Sequence, residues 1–179
     1  YALIESDSNK DARGLYVSNN AGKSWSQVTN EPRLVQRAWY YIELFIDPKN
    51  ENTIYVLSAP CLRSNDGGRT WENLGGTHGD YHDLWINPND PNNLAIANDG
   101  GVAISFNKGR TWSSQDNMPT AQFYRINVDN QFPYRIYGGQ QDNTSVSIAN
   151  REAGRGITTS SWTYSAGGES AFLAFNPDD

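Results

Sequence analysis

The segment His78-Gly79-Asp80-Tyr81-His82-Asp83 is the densest group of ionisable side chains in the sequence. Its carboxylates point to acid–base work at an acetal. Cleavage of a glycosidic bond needs one carboxyl held protonated as acid and a second ionised as base or nucleophile, with their separation deciding the stereochemical outcome. Asp80, Asp83, Asp99, Asp142 and Glu169 are the candidate carboxyls, and His78 or His82 could tune one of them. Aromatic residues Trp39, Tyr40, Trp85, Phe123 and Tyr124 could stack on sugar rings or pack the interior. On a strand, alternation would send His78, Asp80 and His82 to one face, a spacing that also admits a cation or a closed hydrogen-bond network. No further ligand stands beside them, so no metal and no cofactor is assigned.

The elements that must position these residues are repeated. Three octapeptides, SNNAGKSW from Ser18, SNDGGRTW from Ser64 and SFNKGRTW from Ser105, begin 46 and 41 residues apart. Each has Ser first, Asn or Asp third, Gly fifth and Trp last. The third side chain can accept backbone N–H bonds across a tight loop, the Gly permits φ > 0, and the Trp can wedge between neighbouring units. Turn markers run in step with them: Asp47-Pro48, Asn87-Pro88, Asp129-Asn130 and Asn176-Pro177. Apolar stretches flank these markers (41–46, 84–86, 123–128 and 171–175 before, 54–57, 94–97 and 135–137 after). A period of this length with four short strands per unit predicts an all-β chain, a β-propeller segment of about four four-stranded antiparallel blades. The expected organisation is one segment with a partial blade at 1–30, blades at 36–75 and 78–116, a degenerate blade at 120–165 and the start of another at 168–179. The degenerate blade lacks the octapeptide near Ser145 to Ile148 and has a long connection from Asn150 to Ser161 in its place.

In an antiparallel meander successive turns alternate between two ends. The Pro turns and octapeptides should therefore share one end, and the loops leading into each first strand should share the other with the second-to-third-strand loops. Seven residues before the four turn markers lie Tyr40, Asp80, Gln122 and Glu169. Around them cluster Arg37, Trp39, His78, His82, Asp83, Tyr124 and Arg125, while Asp99 and the run Gln140-Gln141-Asp142 fall in second-to-third-strand loops. All are expected at one mouth of the channel. Asp66, inside an octapeptide, is expected to be structural.

Composition bounds the partners. At 179 residues, 37% hydrophobic and 12% aromatic, the chain can bury a core. A net charge of −6 without a basic stripe excludes nucleic acid. No run of about 18 apolar residues is present, so no membrane span is expected. Cys61, the single cysteine, reads as a buried apolar residue and excludes an intrachain disulfide. The chain opens in a strand-like segment and stops within a repeat, which predicts further propeller blades in a longer parent protein.

The octapeptide resembles the Asp box, or BNR repeat, of β-propellers such as sialidases, xyloglucanase-type glycoside hydrolases and sortilin-like receptors. The stretch Gly79 to Leu84 is similar to the Gly-Asp…His-x-Asp segment of xyloglucanase-type propellers, whose first Asp is catalytic, and this resemblance puts Asp80 forward with Asp83, Asp99 or Glu169 as partner. Sialidases need an arginine triad and a Tyr–Glu pair; Arg37 and Arg125 fall near the mouth, but Arg135 follows a turn at the other end. The phrases 36–41, 78–85, 98–101, 119–125, 129–134, 138–143 and 167–170 resemble large bacterial BNR-repeat glycosyl hydrolase-like and sortilin-like propeller proteins. That resemblance implies an extracellular or periplasmic protein, either a glycoside hydrolase or a noncatalytic module binding carbohydrate or peptide. A purely structural channel is the third reading. A hydrolase should show two carboxyls roughly 5 to 10 Å apart with one desolvated; a receptor should show exposed aromatics and no such pair.

Overall fold

The computed structural model describes residues 1–118, 120–154, 156–169 and 171–178. Pro119, Arg155, Ser170 and Asp179, which fall within phrases and loops singled out in the sequence, lie outside the described residues. The protein is an all-β propeller segment whose described strands form four antiparallel meanders. Strands β1 (Ala2–Ile4), β2 (Gly14–Val17) and β3 (Ser26–Thr29) make the first sheet. The second is β4 (Glu43–Asp47), β5 (Asn50–Leu57), β6 (Cys61–Ser64) and β7 (Glu72–Asn73). The third is β8 (Tyr81–Ile86), β9 (Leu94–Asn98) and β10 (Gly101–Ser105). These sheets belong to a compact unit spanning Tyr1–Asn117. A second unit begins at Met118 and holds β11 (Phe123–Val128), β12 (Arg135–Gln140), β13 (Ser145–Ala149) and β14 (Trp162–Tyr164).

The first sheet, expected as a partial blade, has three strands, and the third has three where four are expected. In the third sheet the reason is visible. Ser113 donates its amide to the Ile104 carbonyl at 2.9 Å, but Ile104 donates back to the Ser113 hydroxyl at 3.0 Å instead of to a carbonyl. A side chain thus takes the ladder acceptor's place, and pairing stops after one residue.

The three octapeptides fold alike. The first Ser Oγ accepts the amide four residues on at 2.8 Å in each turn. The Oδ1 of Asn20, Asp66 and Asn107 accepts the amide of Ser24, Thr70 and Thr111, each at 2.9 Å. Gly22, Gly68 and Gly109 take left-handed φ of 83°, 91° and 79°. All these bonds span four residues, so the turn is specified locally.

Two apolar cores lie between sheets of the first unit. Leu15 and Leu34 pack with Ile54, Val56 and Leu62, with Trp71 against them, joining the first sheet to the second. Tyr55, Leu57 and Cys61 pack with Tyr81, Leu84, Leu94 and Ile96, with Trp112 against them, joining the second to the third. Each Trp therefore seals a seam with the preceding sheet, whereas Trp25 remains 46% exposed. Among the described residues no helix is long and apolar enough to cross a membrane.

Candidate functional site

In the first unit the loop leading into β8 is tied by backbone bonds to the loop between β5 and β6. Asp80 N donates to Ala59 O at 3.1 Å and Tyr81 N to Ser58 O at 2.9 Å. Holding both bonds turns Asp80 to a left-handed φ of 54°, a region that Asp tolerates better than most residues. The strand begins only at Tyr81. This corrects the expectation that His78, Asp80 and His82 alternate along one strand face: a bend precedes Tyr81, and the three side chains diverge to different partners.

Asp80 faces the loop leading into β4. That loop leaves a 3-10 helix at Pro32–Val35 and is pinched by the amides of Tyr40 and Tyr41, which donate to Arg37 O at 2.8 and 2.7 Å. The Tyr41 hydroxyl donates to Asp80 Oδ1 at 2.6 Å, and Arg37 Nη2 lies 3.1 Å from the same oxygen. Among the described residues, Asp80 Oδ2 has no hydrogen-bond partner. Burial, then the hydrogen bond and charge of Asp80, hold the Tyr41 hydroxyl well above the ordinary tyrosine range, so it remains a donor.

His82 continues the chain of contacts. Its ring lies 4.5 Å from that of Tyr41, and Nε2 is 2.9 Å from Asp99 Oδ1 in the turn between β9 and β10. Asp80 and Asp99 thus flank the Tyr41–His82 pair, their side chains 30% and 25% exposed. Asp83 is exposed and accepts the amide of Leu84 at 2.8 Å, turned back on its own strand. His78 serves a different network: its amide donates to Gln115 Oε1 at 2.9 Å, its carbonyl accepts from Asn98 Nδ2 at 2.9 Å, and Nδ1 lies 3.1 Å from Gly79 O. A carbonyl only accepts, so Nδ1 carries the proton in that contact. Beneath it a Cβ on Gly100 would stand 2.4 Å from His78 Cβ, so the turn packs there only as glycine. Among the described residues, no group of three His, Cys, Asp or Glu side chains is arranged to hold a metal ion.

Trp39 and Tyr40 stand 73% and 68% exposed beside this cluster, their ring centroids 5.7 Å apart, with Tyr40 edge-on to Tyr41 at 5.1 Å. Trp85, offered above as a sugar platform, lies near the other end of β8, next to the last residue of the strand.

The second unit gathers its own set. Gln141 N donates to Gln122 O at 2.8 Å, and Tyr124 OH to Gln141 Oε1 at 2.8 Å. Gln140 pairs with Phe123 across β11 and β12 and closes the following turn on Thr144 O. Glu169 Oε2 accepts the amide of Asp142, itself at φ 56°, at 2.7 Å. Arg125 lies over the Phe172 ring, 4.9 Å from its centroid.

Sequence reasoning missed Tyr41, which touches Asp80 directly; its only signal was the doublet Tyr40-Tyr41 in a polar loop. Gln115, whose Oε1 takes the His78 amide, gave none, because that bond spans 37 residues, and Asn98, placed at the mouth by its loop, gave no sign of its bond to the His78 carbonyl across 20.

No family model matches the chain. A probable oligoxyloglucan-reducing end-specific xyloglucanase of Neosartorya fischeri is 26% identical over 106 residues, covering 52% of this chain and 13% of that protein. Among solved structures, an ancestral GH74 enzyme matches 78% of this chain and 20% of its own, at 20% identity and a TM-score of 0.42. The GH74 xyloglucanase of Xanthomonas campestris matches 63% of this chain and 23% of its own, at 12% identity and a TM-score of 0.35. The chain thus spans 13% of the length of the curated relative that it matches.

Proposed function

We propose that this chain is part of an Asp-box propeller of the glycoside hydrolase type, acting on a polysaccharide at the face that carries Asp80. The observation that carries the reading is the placement of an Asp80 carboxylate with one unbonded oxygen beside two exposed aromatic rings. Trp39 and Tyr40 offer apolar faces on which sugar rings stack. The Tyr41 hydroxyl donates to Oδ1 and the Arg37 guanidinium is ion-paired with the same oxygen, which leaves Oδ2 for a substrate or an attacking water. In this reading Asp80 is the base or nucleophile. The proton for the leaving group comes from the His82–Asp99 pair, which shares one hydrogen bond on the far side of Tyr41. Asp83, bonded to its own strand, is a weaker partner. A relative named as a probable xyloglucanase makes xyloglucan the first substrate to try. The reading carries an extracellular or periplasmic location with it, because polysaccharides do not cross membranes unaided.

A second reading draws on the exposure of Trp39 and Tyr40 and on the donors already bonded to Asp80 and Asp99: a noncatalytic, sortilin-like module that captures glycan or peptide. Reducing-end release from xyloglucan by the protein and its Asp80→Asn variant separates the two. Release that disappears in the variant supports hydrolysis at Asp80. Binding without release in both proteins overturns it in favour of capture.

A further inference from the structure

The octapeptide end of the first unit, opposite the face just described, contains a hollow of about 370 Å³ between the second and third sheets. Arg63, Asn65, Asn92, Phe106, Lys108 and Arg110 line it. An adjoining hollow of about 340 Å³ shares Arg63 and Asn65 and runs on to Trp71.

The charges of the lining do not cancel. Arg63 is fixed by Glu72, with Nε and Nη2 at 2.8 and 2.7 Å from Oε1, and it also donates to the Lys108 carbonyl. Lys108 Nζ is matched by the buried Asp47 carboxylate at 3.2 Å. The Arg110 guanidinium has no hydrogen bond or ion pair among the described residues, so one positive charge is left over. Hydrogen-bond capacity is also left over. Asn65 donates Nδ2 to Glu72 at 3.0 Å and Asn92 donates Nδ2 to Asp90 at 2.8 Å, and neither side-chain carbonyl has a donor among the described residues. Phe106 is 74% exposed at the second octapeptide position, where the other two copies have Asn19 and Asn65. The turn geometry is the same in all three copies, so the fold does not require an aromatic ring there.

One cation, two unused acceptors and an apolar ring around a cavity of this size match a ligand with a carboxylate, hydroxyl donors and a flat apolar face. A phosphate lacks the flat apolar face. We propose that this hollow is a second, noncatalytic site that takes a uronic acid residue of an acidic polysaccharide. The carboxylate pairs with Arg110, the ring lies on Phe106, and hydroxyls donate to Asn65 and Asn92. The site is independent of the activity proposed for the Asp80 face.

The test is titration calorimetry of the full chain with trigalacturonate, with cellotriose as neutral probe and a triaspartate peptide as acidic probe. Phe106→Ala and Arg110→Ala change exposed side chains, and matching thermal unfolding curves establish that both variants fold. Trigalacturonate is expected to bind, and each variant to weaken it on the order of tenfold, with Asp80→Asn leaving it unchanged. Absence of binding up to about 10 mM, well beyond the range of specific recognition, overturns the proposal. So does equal affinity in the Arg110→Ala variant, or cellotriose binding as tightly as trigalacturonate. Tighter binding of triaspartate makes the hollow a peptide site and overturns it as well.

Discussion

Replacing Tyr41 with Phe removes the single oxygen that donates to Asp80 at 2.6 Å and leaves the ring against His82 in place. A hydrogen bond to a charged group contributes about 1.5–3 kcal/mol when shielded. Asp80 and Arg37 are 30% and 35% exposed, so solvent screens this cluster and about 1 kcal/mol is the expected loss. Asp80→Asn keeps the shape and tolerates the left-handed backbone but loses the ion pair with Arg37, again costing about 0.5–1 kcal/mol. Because Asp80→Asn weakens, from a charged to a neutral acceptor, the bond that Tyr41→Phe removes, the double variant should be more stable than their sum by about 0.5–1 kcal/mol. Asp80→Ala should cost about 1 kcal/mol more than Asp80→Asn, since a φ of 54° suits Asn far better than Ala. Urea unfolding of the four cycle members and Asp80→Ala at neutral pH measures all of these. A coupling below about 0.2 kcal/mol, or an alanine variant as stable as the asparagine one, refutes the account of how Asp80 is held.

Two further outcomes follow from the second octapeptide turn, with Gly75 beyond it as a control. A Cβ on Gly68, at φ 91°, would stand 2.2 Å from Cδ2 of the fully buried Leu15, so Gly68→Ala should destabilise by about 2–4 kcal/mol in urea unfolding. Gly75, with no atom within 4 Å of its Cβ position, should accept Ala within about 0.5 kcal/mol. Hydrogen bonds from the Thr70 hydroxyl, the Thr70 amide and Ser64 hold the Asp66 carboxyl well below the usual carboxylate range. The unfolded chain therefore takes up this proton first, and the stability that Asp66 contributes is present above about pH 4 and lost as pH falls below it. Asp66→Asn, the residue type of the sister turns at Asn20 and Asn107, should fold and show a shallower acid limb in unfolding midpoints measured against pH.

The octapeptide turns, the Pro turns and the order of strands were legible in the sequence. Their hydrogen bonds close within a few residues, and the alternation of apolar stretches carries the meander. The same locality explains why Asp66 was read as structural: all its partners lie within four residues. The offset from the turn markers put Arg37, His82 and Asp99 in the neighbourhood of Asp80, but their pairings were not legible. Tyr41 reaches Asp80 across 39 residues, His82 meets Asp99 across 17, and neither pairing leaves a periodic trace. Strand alternation misplaced His78 because backbone bonds to Ala59 and Ser58, made by the neighbouring sheet, bend the chain at Asp80 before the strand starts. The sequence by itself determined the repeated unit, because each turn is satisfied by its own side chains. Only the tertiary structure decided which carboxylate meets which donor, because those bonds join residues far apart in the chain, Tyr41 to Asp80 between two sheets and His82 to Asp99 across the third, where packing and pairing set the register.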